Sequence, residues 1–252
     1  ERDAIEVGAD PDAHDAGRQK RAGFRADLAP HAQDSVTLQG DLYETRARQL
    51  EGVSSRVPAA TRFLPDTAGL NGGNLLFRWQ RTLDATENWQ FQAYFDQTEL
   101  RDAVLDQRTD TLDMEWQHRF RLSPRQEITW GLGYRQVTDE LQGGFTISFP
   151  RSKRSTQLYS AFVQDEIGLT EDLRLTLGSK FEHNDYTGFE VQPSARLLWR
   201  ATATDNFWAA LSRAVQTPSR AIHDSQLNYL VLPGPTVLGF RGSRNVDSEV
   251  LV

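Results

Sequence analysis

Acidic residues provide the first candidates for chemistry in this sequence of 252 residues. Asp165, Glu166, Glu171 and Asp172 flank a predicted short turn. Paired carboxylates transfer protons or bind calcium only where they converge in a pocket. Solvated charge at a turn is therefore the interpretation we favour for these four residues.

A second cluster, Glu182, His183 and Asp185, is the most metal-like in the chain. In a strand, however, residue 182 faces away from residues 183 and 185, and no further ligand follows at a recognised spacing. Nucleophile elbows, Walker loops and dinucleotide fingerprints are also missing from the sequence. We therefore expect no enzyme and no resident metal or cofactor.

Arginines on the polar faces of predicted strands are the better binding candidates, because a guanidinium pairs with an anion through two parallel hydrogen bonds. The equally favoured alternative is that they neutralise Asp113, Glu115 and their neighbours across strands. The candidates for ligand contact are Arg78, Arg119, Arg121 and Arg135. Weaker candidates, which rest on position in predicted loops alone, are Arg56, Arg62, Phe63, Tyr229 and Phe240.

Composition excludes several classes of protein. The chain has no cysteine, which removes disulfides, thiolate zinc sites and cysteine nucleophiles. Its formal net charge of -7 argues against a nucleic-acid partner, since such proteins need a basic surface to displace phosphate counterions. No apolar run approaches the roughly 20 residues of a membrane-spanning helix. The mean hydropathy of -0.58 still allows a membrane β-barrel, whose strands are apolar on one face only.

The strongest signal in the sequence is an alternation of period two. From Thr111 to Leu122, apolar side chains alternate with charged or polar ones, and only His118 breaks the apolar set. Because successive side chains of a strand point to opposite faces, such a segment has one apolar and one charged face. The pattern recurs along the chain and predicts about ten antiparallel strands, many long enough to cross a bilayer when tilted.

Predicted connections alternate between short and long. Short turns are expected at Pro30–Asp34, Asp84–Glu87, Ser123–Arg125, Thr170–Asp172 and Ala201–Asp205. Long loops are expected at Thr45–Gly73, Thr98–Gln107 and Asp139–Ser155, and from Ala214 onward. Outer-membrane barrels have this two-sidedness, with the long loops outside the cell. The six tryptophans, all within predicted strands, suit the boundary between hydrocarbon and water.

One stretch carries a family resemblance. The sequence AFVQDEIGLTEDLRLTLGSKFEHNDYTG at 161–188, with QPSAR at 192–196 and SRAVQTPSR at 212–220, resembles the barrel of TonB-dependent outer-membrane receptors. RAGFRAD at 21–27 and LQGDLY at 38–43 look like a preceding hairpin of the same barrel. Lys180 stands where many relatives carry arginine, a departure that preserves the charge.

The resemblance implies an all-β fold: an antiparallel up-and-down transmembrane β-barrel segment, about ten strands of a barrel of about 22 strands that encloses an N-terminal plug. Such receptors bind a scarce nutrient, most often a ferric siderophore, at the cell surface. A TonB complex then acts on the plug to admit it. We expect residues 1–252 to be an internal piece of the barrel domain in the bacterial outer membrane, without plug or C-terminal strands. The four arginines would then face the ligand or the plug.

Two other readings of the sequence remain open. A soluble β-rich binding module with long loops would show the same alternation, with its apolar face as a core. A passive porin without a plug would show both the alternation and the uneven loops. Dependence on detergent separates a membrane protein from the soluble module, and a plug-encoding segment in the parent gene separates a receptor from a porin.

Overall fold

The computed structural model describes residues 16–232, 234 and 236–252. This part of the chain forms strands almost throughout, with one short helix. The strands are β1 Gly17–His31, β2 Asp34–Arg56, β3 Ala59–Asp84, β4 Glu87–Arg101, β5 Leu105–Ser123, β6 Gln126–Gly143, β7 Ile147–Ser148, β8 Lys153–Gly168, β9 Leu173–Asn184, β10 Gly188–Arg200, β11 Asn206–Ser212, β12 Ala214–Gln216, β13 Gln226–Val231, β14 Val237–Arg241 and β15 Glu249–Leu251. The helix is α1, Arg220–Asp224.

Ten strands form one antiparallel sheet in the order β1-β2-β3-β4-β5-β6-β8-β9-β10-β11. Strands that are consecutive in the sequence are neighbours in the sheet, apart from the short β7, which pairs elsewhere. Within the described residues, β1 and β11 are paired on one side only, so the sheet is open rather than closed into a ring. The predicted fold class, an all-β up-and-down sheet of about ten strands, is confirmed.

Two adjacent rows of side chains across the sheet have opposite character. Residues that are partners in an antiparallel ladder share a face, and the next residue along each strand lies on the other face. The apolar row, from β1 to β10, is Leu28, Val36, Trp79, Phe91, Trp116, Leu132, Ala161, Phe181 and Val191. The polar row, shifted by one residue, is Asp27, Thr37, Arg78, Gln92, Glu115, Gly133, Ser160, Glu182 and Glu190. We name the two sides of the sheet the apolar face and the polar face after these rows.

No dry core lies beneath the apolar face. Among the described aliphatic and aromatic side chains, only Leu141 and Val231 are buried, whereas Leu132 is 54% exposed and Leu75 48%. The accessible surface of 16390 Å² is well above the roughly 11000 Å² expected for a compact monomer of this mass. A sandwich would bury this face against a second sheet. The exposed apolar face is therefore the opposite of what the soluble binding module predicts, because that module would bury this face as its core.

Contacts within the apolar face are aromatic and run across strands. Phe91 on β4 lies 6.1 Å from Trp116 on β5 and 6.3 Å from Phe77 on β3, measured between ring centroids. Trp79 approaches Trp116 at 6.0 Å. Such pairs stabilise a sheet without needing a second layer, because cross-strand neighbours supply part of the packing.

The connections between neighbouring strands lie at two opposite ends of the sheet, which we call the turn end and the hairpin end. At the turn end, neighbouring strands are joined at 32–33, 85–86, 124–125, 169–172 and 201–205. At the hairpin end, the connections are 57–58, 102–104, 144–152 and 185–187. The short turns predicted from the sequence therefore all lie at the turn end, as expected.

The prediction of long loops at Thr45–Gly73 and Thr98–Gln107 is wrong. β2 and β3 stay paired up to Arg56 and Ala59, and β4 and β5 stay paired up to Arg101 and Asp106. The alternation of period two fades in these extensions because both of their faces carry polar side chains, while the backbone ladder continues regardless. Asp139–Ser155 is a loop only over its middle part, because β6 and β8 extend into both of its ends.

The segment from Ala214 onward is also more ordered than predicted. It contains β12, α1, β13, β14 and β15, and β13 pairs with both β14 and β7 to form a small second sheet. Its contacts with the large sheet reach residues of the polar face. Ser248 donates a hydrogen bond to Glu190 at 2.6 Å, and Arg213, directly before the segment, pairs with the same carboxylate at 3.4 Å.

A matched pair of substitutions tests the assignment of the two faces. Ala161 lies in the apolar row and Ser160, its chain neighbour, lies in the polar row. We expect Ala161→Arg to lower the free energy of unfolding in lipid vesicles by about 2–4 kcal/mol, because it places a guanidinium against hydrocarbon. Ser160→Arg should change it by less than about 1 kcal/mol. Equal losses from the two variants, measured by urea titration, would contradict the assignment.

Candidate functional site

The four arginines predicted to contact ligand all lie on the polar face, but they do not converge. Arg78 belongs to the polar row. Arg135 is the ladder partner of Asp113, and this pair lies two residues from the polar row, toward the hairpin end. Arg119 and Arg121 lie further along β5, toward the turn end. From residue 113 to residue 121 the strand extends about 27 Å, so these side chains line a wall rather than a single pocket.

Three of the four arginines have side-chain partners on neighbouring strands. Arg135 Nε donates to Asp113 Oδ2 at 2.6 Å, and the Asp113 side chain is only 6% exposed. Arg78 donates through Nε and Nη2 to Gln92 Oε1 at 2.9 and 2.6 Å. Arg119 Nη1 donates to Glu127 Oε1 at 3.4 Å. The two ion pairs, of Arg135 and Arg119, favour cross-strand neutralisation, whereas Arg78 bonds an uncharged amide. Contact of these arginines with a ligand or plug stays a prediction.

A concavity of about 630 Å³ lies at the turn end of the polar face. Arg119, Arg121, Arg125 and Arg174 line it together with Glu127, Glu166 and Glu171. Arg174 Nη1 lies 2.8 Å from Glu166 Oε1, which pairs the two groups. In the described part of the chain, neither Arg121 nor Arg125 forms an ion pair with a carboxylate. The lining of the concavity therefore carries one more arginine than glutamate, and this slight excess of positive charge would suit an acidic partner surface.

The acidic candidates for catalysis or metal binding do not form a site. Within the described residues, no three acidic, histidine or cysteine side chains are arranged to hold a metal ion. Glu182 accepts a hydrogen bond from Gln192 at 2.7 Å and pairs with Lys180 at 2.6 Å. His183 lies on the other face of β9, as the alternation requires. Glu166 is held by Arg174, so its role is a cross-strand ion pair.

Sequence reasoning missed a buried group of charged side chains at the hairpin end of the polar face. We call it the α1 cluster. It joins α1 to the ends of β6 and β8, and its members are Asp139, Arg154, Tyr186, Arg220, His223 and Asp224. The side chains of Arg220 and Asp224 are 8% and 4% exposed. A buried charge needs a partner, and each guanidinium here faces a carboxylate.

The geometry of the α1 cluster centres on two guanidinium groups. Arg220 pairs with Asp139 on β6 and with Asp224 at 3.6 Å, one helical turn away. Arg154 on β8 lies 3.5 Å from Asp224 Oδ2, and its guanidinium stacks over the Tyr186 ring at 4.5 Å. The hydroxyl of Ser219 caps the helix by accepting from the Ile222 backbone at 3.3 Å. These contacts hold the segment after β11 against the polar face of the large sheet.

His223 is the one titratable group of this cluster near neutral pH. Arg154 Nη1 lies 3.1 Å from His223 Nδ1, and because a guanidinium only donates, Nδ1 must accept and carry no proton. Burial lowers the pKa of His223, and the nearby Arg154 lowers it further, while Asp224 acts in the opposite direction. Burial also raises the pKa of the Tyr186 hydroxyl. The cluster is therefore built around a neutral imidazole.

A second set of contacts joins three segments at the hairpin end. We call it the hairpin-end cap: the tip of the β2–β3 hairpin, residues 145–148 and β13. Ser54 N donates to Thr146 Oγ1 at 2.9 Å, and Val231 N donates to Thr61 Oγ1 at 2.8 Å. Asn228 Nδ2 donates to the carbonyl of Phe145 at 2.6 Å. The longest hairpin of the sheet is thus held against the second sheet rather than free in solvent.

Residues predicted to meet ligand in loops are all exposed. Arg56 and Arg62 lie at the tip of the β2–β3 hairpin, and Phe63 beside them is 73% exposed. Tyr229 on β13 and Phe240 on β14 are 56% and 47% exposed. All five lie on strands rather than in loops, and the parts of the strands that carry them are at the hairpin end.

Comparison with known proteins identifies the class. The model of the family described as TonB dependent receptor-like, beta-barrel matches residues 8–244. The chain belongs to this family, as its residues at 161–220 predict. No curated protein matches the chain at a significant level. In the described part of the chain, no helix is long and apolar enough to cross a membrane.

Three solved structures with a similar fold are a siderophore receptor, a ferric enterobactin receptor and a ferric citrate transporter. The siderophore receptor PirA from Acinetobacter baumannii superimposes with a TM-score of 0.71 at 14% identity, over 93% of this chain and 39% of that one. The ferric enterobactin receptor PfeA gives 0.68 at 16% identity, over 98% and 42%. The ferric citrate transporter FecA gives 0.57 at 15% identity, over 81% and 37%. The chain thus spans about two fifths of the length of these receptors.

Acidification should loosen the α1 cluster. Because the pKa of His223 is lowered in the folded chain, the unfolded segment binds the proton more readily, and stability is lost as pH falls below the ordinary histidine value of about 6.5. We expect amide exchange in residues 220–231, corrected for its intrinsic pH dependence, to be faster at pH 5.5 than at pH 7.5. His223→Gln keeps an acceptor for Arg154 and should remove this difference. An unchanged pH response in His223→Gln would contradict the role of His223.

Proposed function

We propose that this chain forms part of the barrel wall of an energy-coupled outer-membrane receptor that imports an iron chelate. The observation that carries the proposal is the pair of rows across the sheet, one apolar and exposed and the other polar, within a chain that matches the receptor family. The apolar face would meet the lipid of the bacterial outer membrane and the polar face an aqueous lumen. The receptor family match favours this function over a passive porin.

The domain assignment follows from the open sheet. We propose that residues 1–252 belong to a single barrel domain and that β1 and β11 pair with further strands of the receptor. In hydrocarbon every backbone amide and carbonyl must be hydrogen-bonded, so the two free edges need partners. The plug of the receptor would occupy the lumen against the polar face, and the TonB complex would act through that plug.

The positions of the four arginines divide their proposed roles. We assign the hairpin end to the cell surface because the longest hairpin, β2–β3, and the small second sheet lie there, as extracellular extensions do in such barrels. Arg78 and Arg135 lie further from the turn end than Arg119 and Arg121. They are proposed to contact an anionic chelate, helped by exposed aromatic groups such as Phe63 and Tyr229. Arg119 and Arg121 border the turn-end concavity and are proposed to contact the plug. Arginine suits both tasks because its fork matches carboxylates.

Uptake of iron tests the function. Iron-starved cells that depend on the gene encoding this chain should take up at least one of three labelled probes: ferric citrate, a ferric catecholate or a ferric hydroxamate. We expect Arg135→Gln to lower the affinity for that probe about tenfold, which corresponds to about 1.4 kcal/mol. Arg174→Gln, which removes the same charge near the turn end, should leave the affinity unchanged.

Two results would contradict the proposal. One is the absence of energy-dependent uptake of every ferric chelate while the protein is present and folded in the outer membrane. The other is equal uptake after the proton gradient has been collapsed, which would indicate a passive channel instead.

A further inference from the structure

The apolar face becomes charged at the hairpin end. Two rows of this face beyond the apolar part carry almost only polar and ionised side chains. The first row is Lys20, Glu44, Asn71, Glu99, Arg108, Glu140 and Lys153. The second row is Arg18, Arg46, Gly69, Arg101, Asp106 and Gln142. These side chains lie on the side of the sheet that faces away from the polar row.

Within the second row, a glycine separates two exposed arginines. The side chains of Arg46 and Arg101 are each 71% exposed, and Gly69 is the ladder partner of both. A Cβ placed on Gly69 would meet nothing within 4 Å, so the space between the arginines is open. With strands about 5 Å apart, the two arginine Cα atoms are about 10 Å apart, within reach of a common anion. We call Arg18, Arg46, Gly69 and Arg101 the arginine notch.

The arginines of the notch keep donors to spare. Arg46 Nε lies 3.1 Å from Glu44 Oε1, and Arg101 Nη2 lies 3.6 Å from Glu99 Oε2. Each guanidinium has five N–H donors, and one carboxylate satisfies at most two of them. Glu44 is in addition shared with Lys20, at 3.8 Å. The local balance is therefore basic although the whole chain is acidic.

The notch lies at a defined height above the apolar face. The last apolar side chain of that face on β2 before the arginines is Leu42, which is 70% exposed and opposite Gly73. Gly69 is four residues further along β3, about 13 Å along the strand and about 10 Å in height at the usual tilt. The polar headgroup layer of a bilayer begins at the edge of the hydrocarbon and is about 5–8 Å thick. The backbone of the notch is therefore a few ångströms beyond the outer border of this layer, and its long arginine side chains can reach back to it.

The turn end of the same face is different in chemistry. Trp89 and His118 stack with ring centroids 3.5 Å apart, and His118 bonds Glu87 at 3.0 Å. Arg81, the exposed cation of this region, lies 3.9 Å from Asp34. Charges there are paired and surrounded by aromatic rings, so the basic surplus on the apolar face is specific to the hairpin end.

We propose that the arginine notch binds a phosphate group of a lipid headgroup in the outer leaflet of the membrane. This proposal rests on the proposed function, which supplies the bilayer and its orientation. Arg46 and Arg101 would each direct a fork of N–H donors at one phosphate, with Arg18 and Lys20 adding positive charge beside it. The open space above Gly69 admits the phosphate between the two arginine side chains. The lipid would thereby fix the height of the wall in the membrane.

Binding of a phosphorylated lipid to the full chain in non-ionic detergent tests the proposal. The probe is bisphosphorylated lipid A, compared with the same lipid after removal of its phosphates and with inorganic phosphate alone. We expect tight binding of the phosphorylated lipid only. Arg46→Gln with Arg101→Gln should lower its affinity at least tenfold. Arg56→Gln with Arg62→Gln, which removes two exposed charges at the hairpin tip, should not change it.

A second variant separates the notch from general charge. Gly69→Glu leaves both arginines in place but puts a carboxylate in the open space, and we expect it to abolish binding while β-structure by circular dichroism is unchanged. Three results would overturn the proposal: equal losses from the two double variants, undiminished binding by Gly69→Glu, or inorganic phosphate that binds as tightly as the lipid. Iron uptake is read separately, so failure of lipid binding leaves the proposed function standing.

Discussion

The structure depends on one constraint: every strand must satisfy its backbone hydrogen bonds with its neighbours while presenting opposite chemistry on its two faces. The ladder from β1 to β11 meets the first requirement everywhere except at its two edges. Alternation of side chains meets the second, because ladder partners share a face and chain neighbours do not. A slip of one residue in the pairing of β5 would exchange Trp116 with Glu115, so the proposed burial of one face in hydrocarbon would fix the register.

This constraint explains which parts of the fold are predictable from the sequence. Where one face is apolar and the other charged, as from Leu112 to Leu122, the alternation is strong and the strand is found as predicted. Where both faces carry polar side chains, as beyond Tyr43 on β2, the ladder continues but the alternation does not, and a loop is predicted in error. Sequence periodicity reports the surroundings of a strand, and only indirectly its hydrogen bonds.

Site residues follow the same division. The shared face of Arg78, Arg119 and Arg135 is predictable, because it depends on the parity of residue numbers within each strand. Their partners require the register between strands, as for Arg135 and Asp113, 22 residues apart. The α1 cluster joins residues about 70 positions apart, such as Arg154 and Asp224, and no local pattern announces such a pair. The family resemblance covers SRAVQTPSR at 212–220 but does not indicate that Arg220 is buried against Asp139.

The alternation can be measured directly because the chain has no native cysteine. Single cysteines placed in turn at each position of β5 from 112 to 121, spin-labelled in lipid vesicles, would report collision with oxygen dissolved in lipid and with a water-soluble nickel chelate. We predict that labels at 112, 114 and 116 are relaxed by oxygen and those at 113, 115 and 119 by the chelate. Equal accessibility of odd and even positions, or protection of 112, 114 and 116 from both reagents, would contradict a wall between lipid and an aqueous lumen.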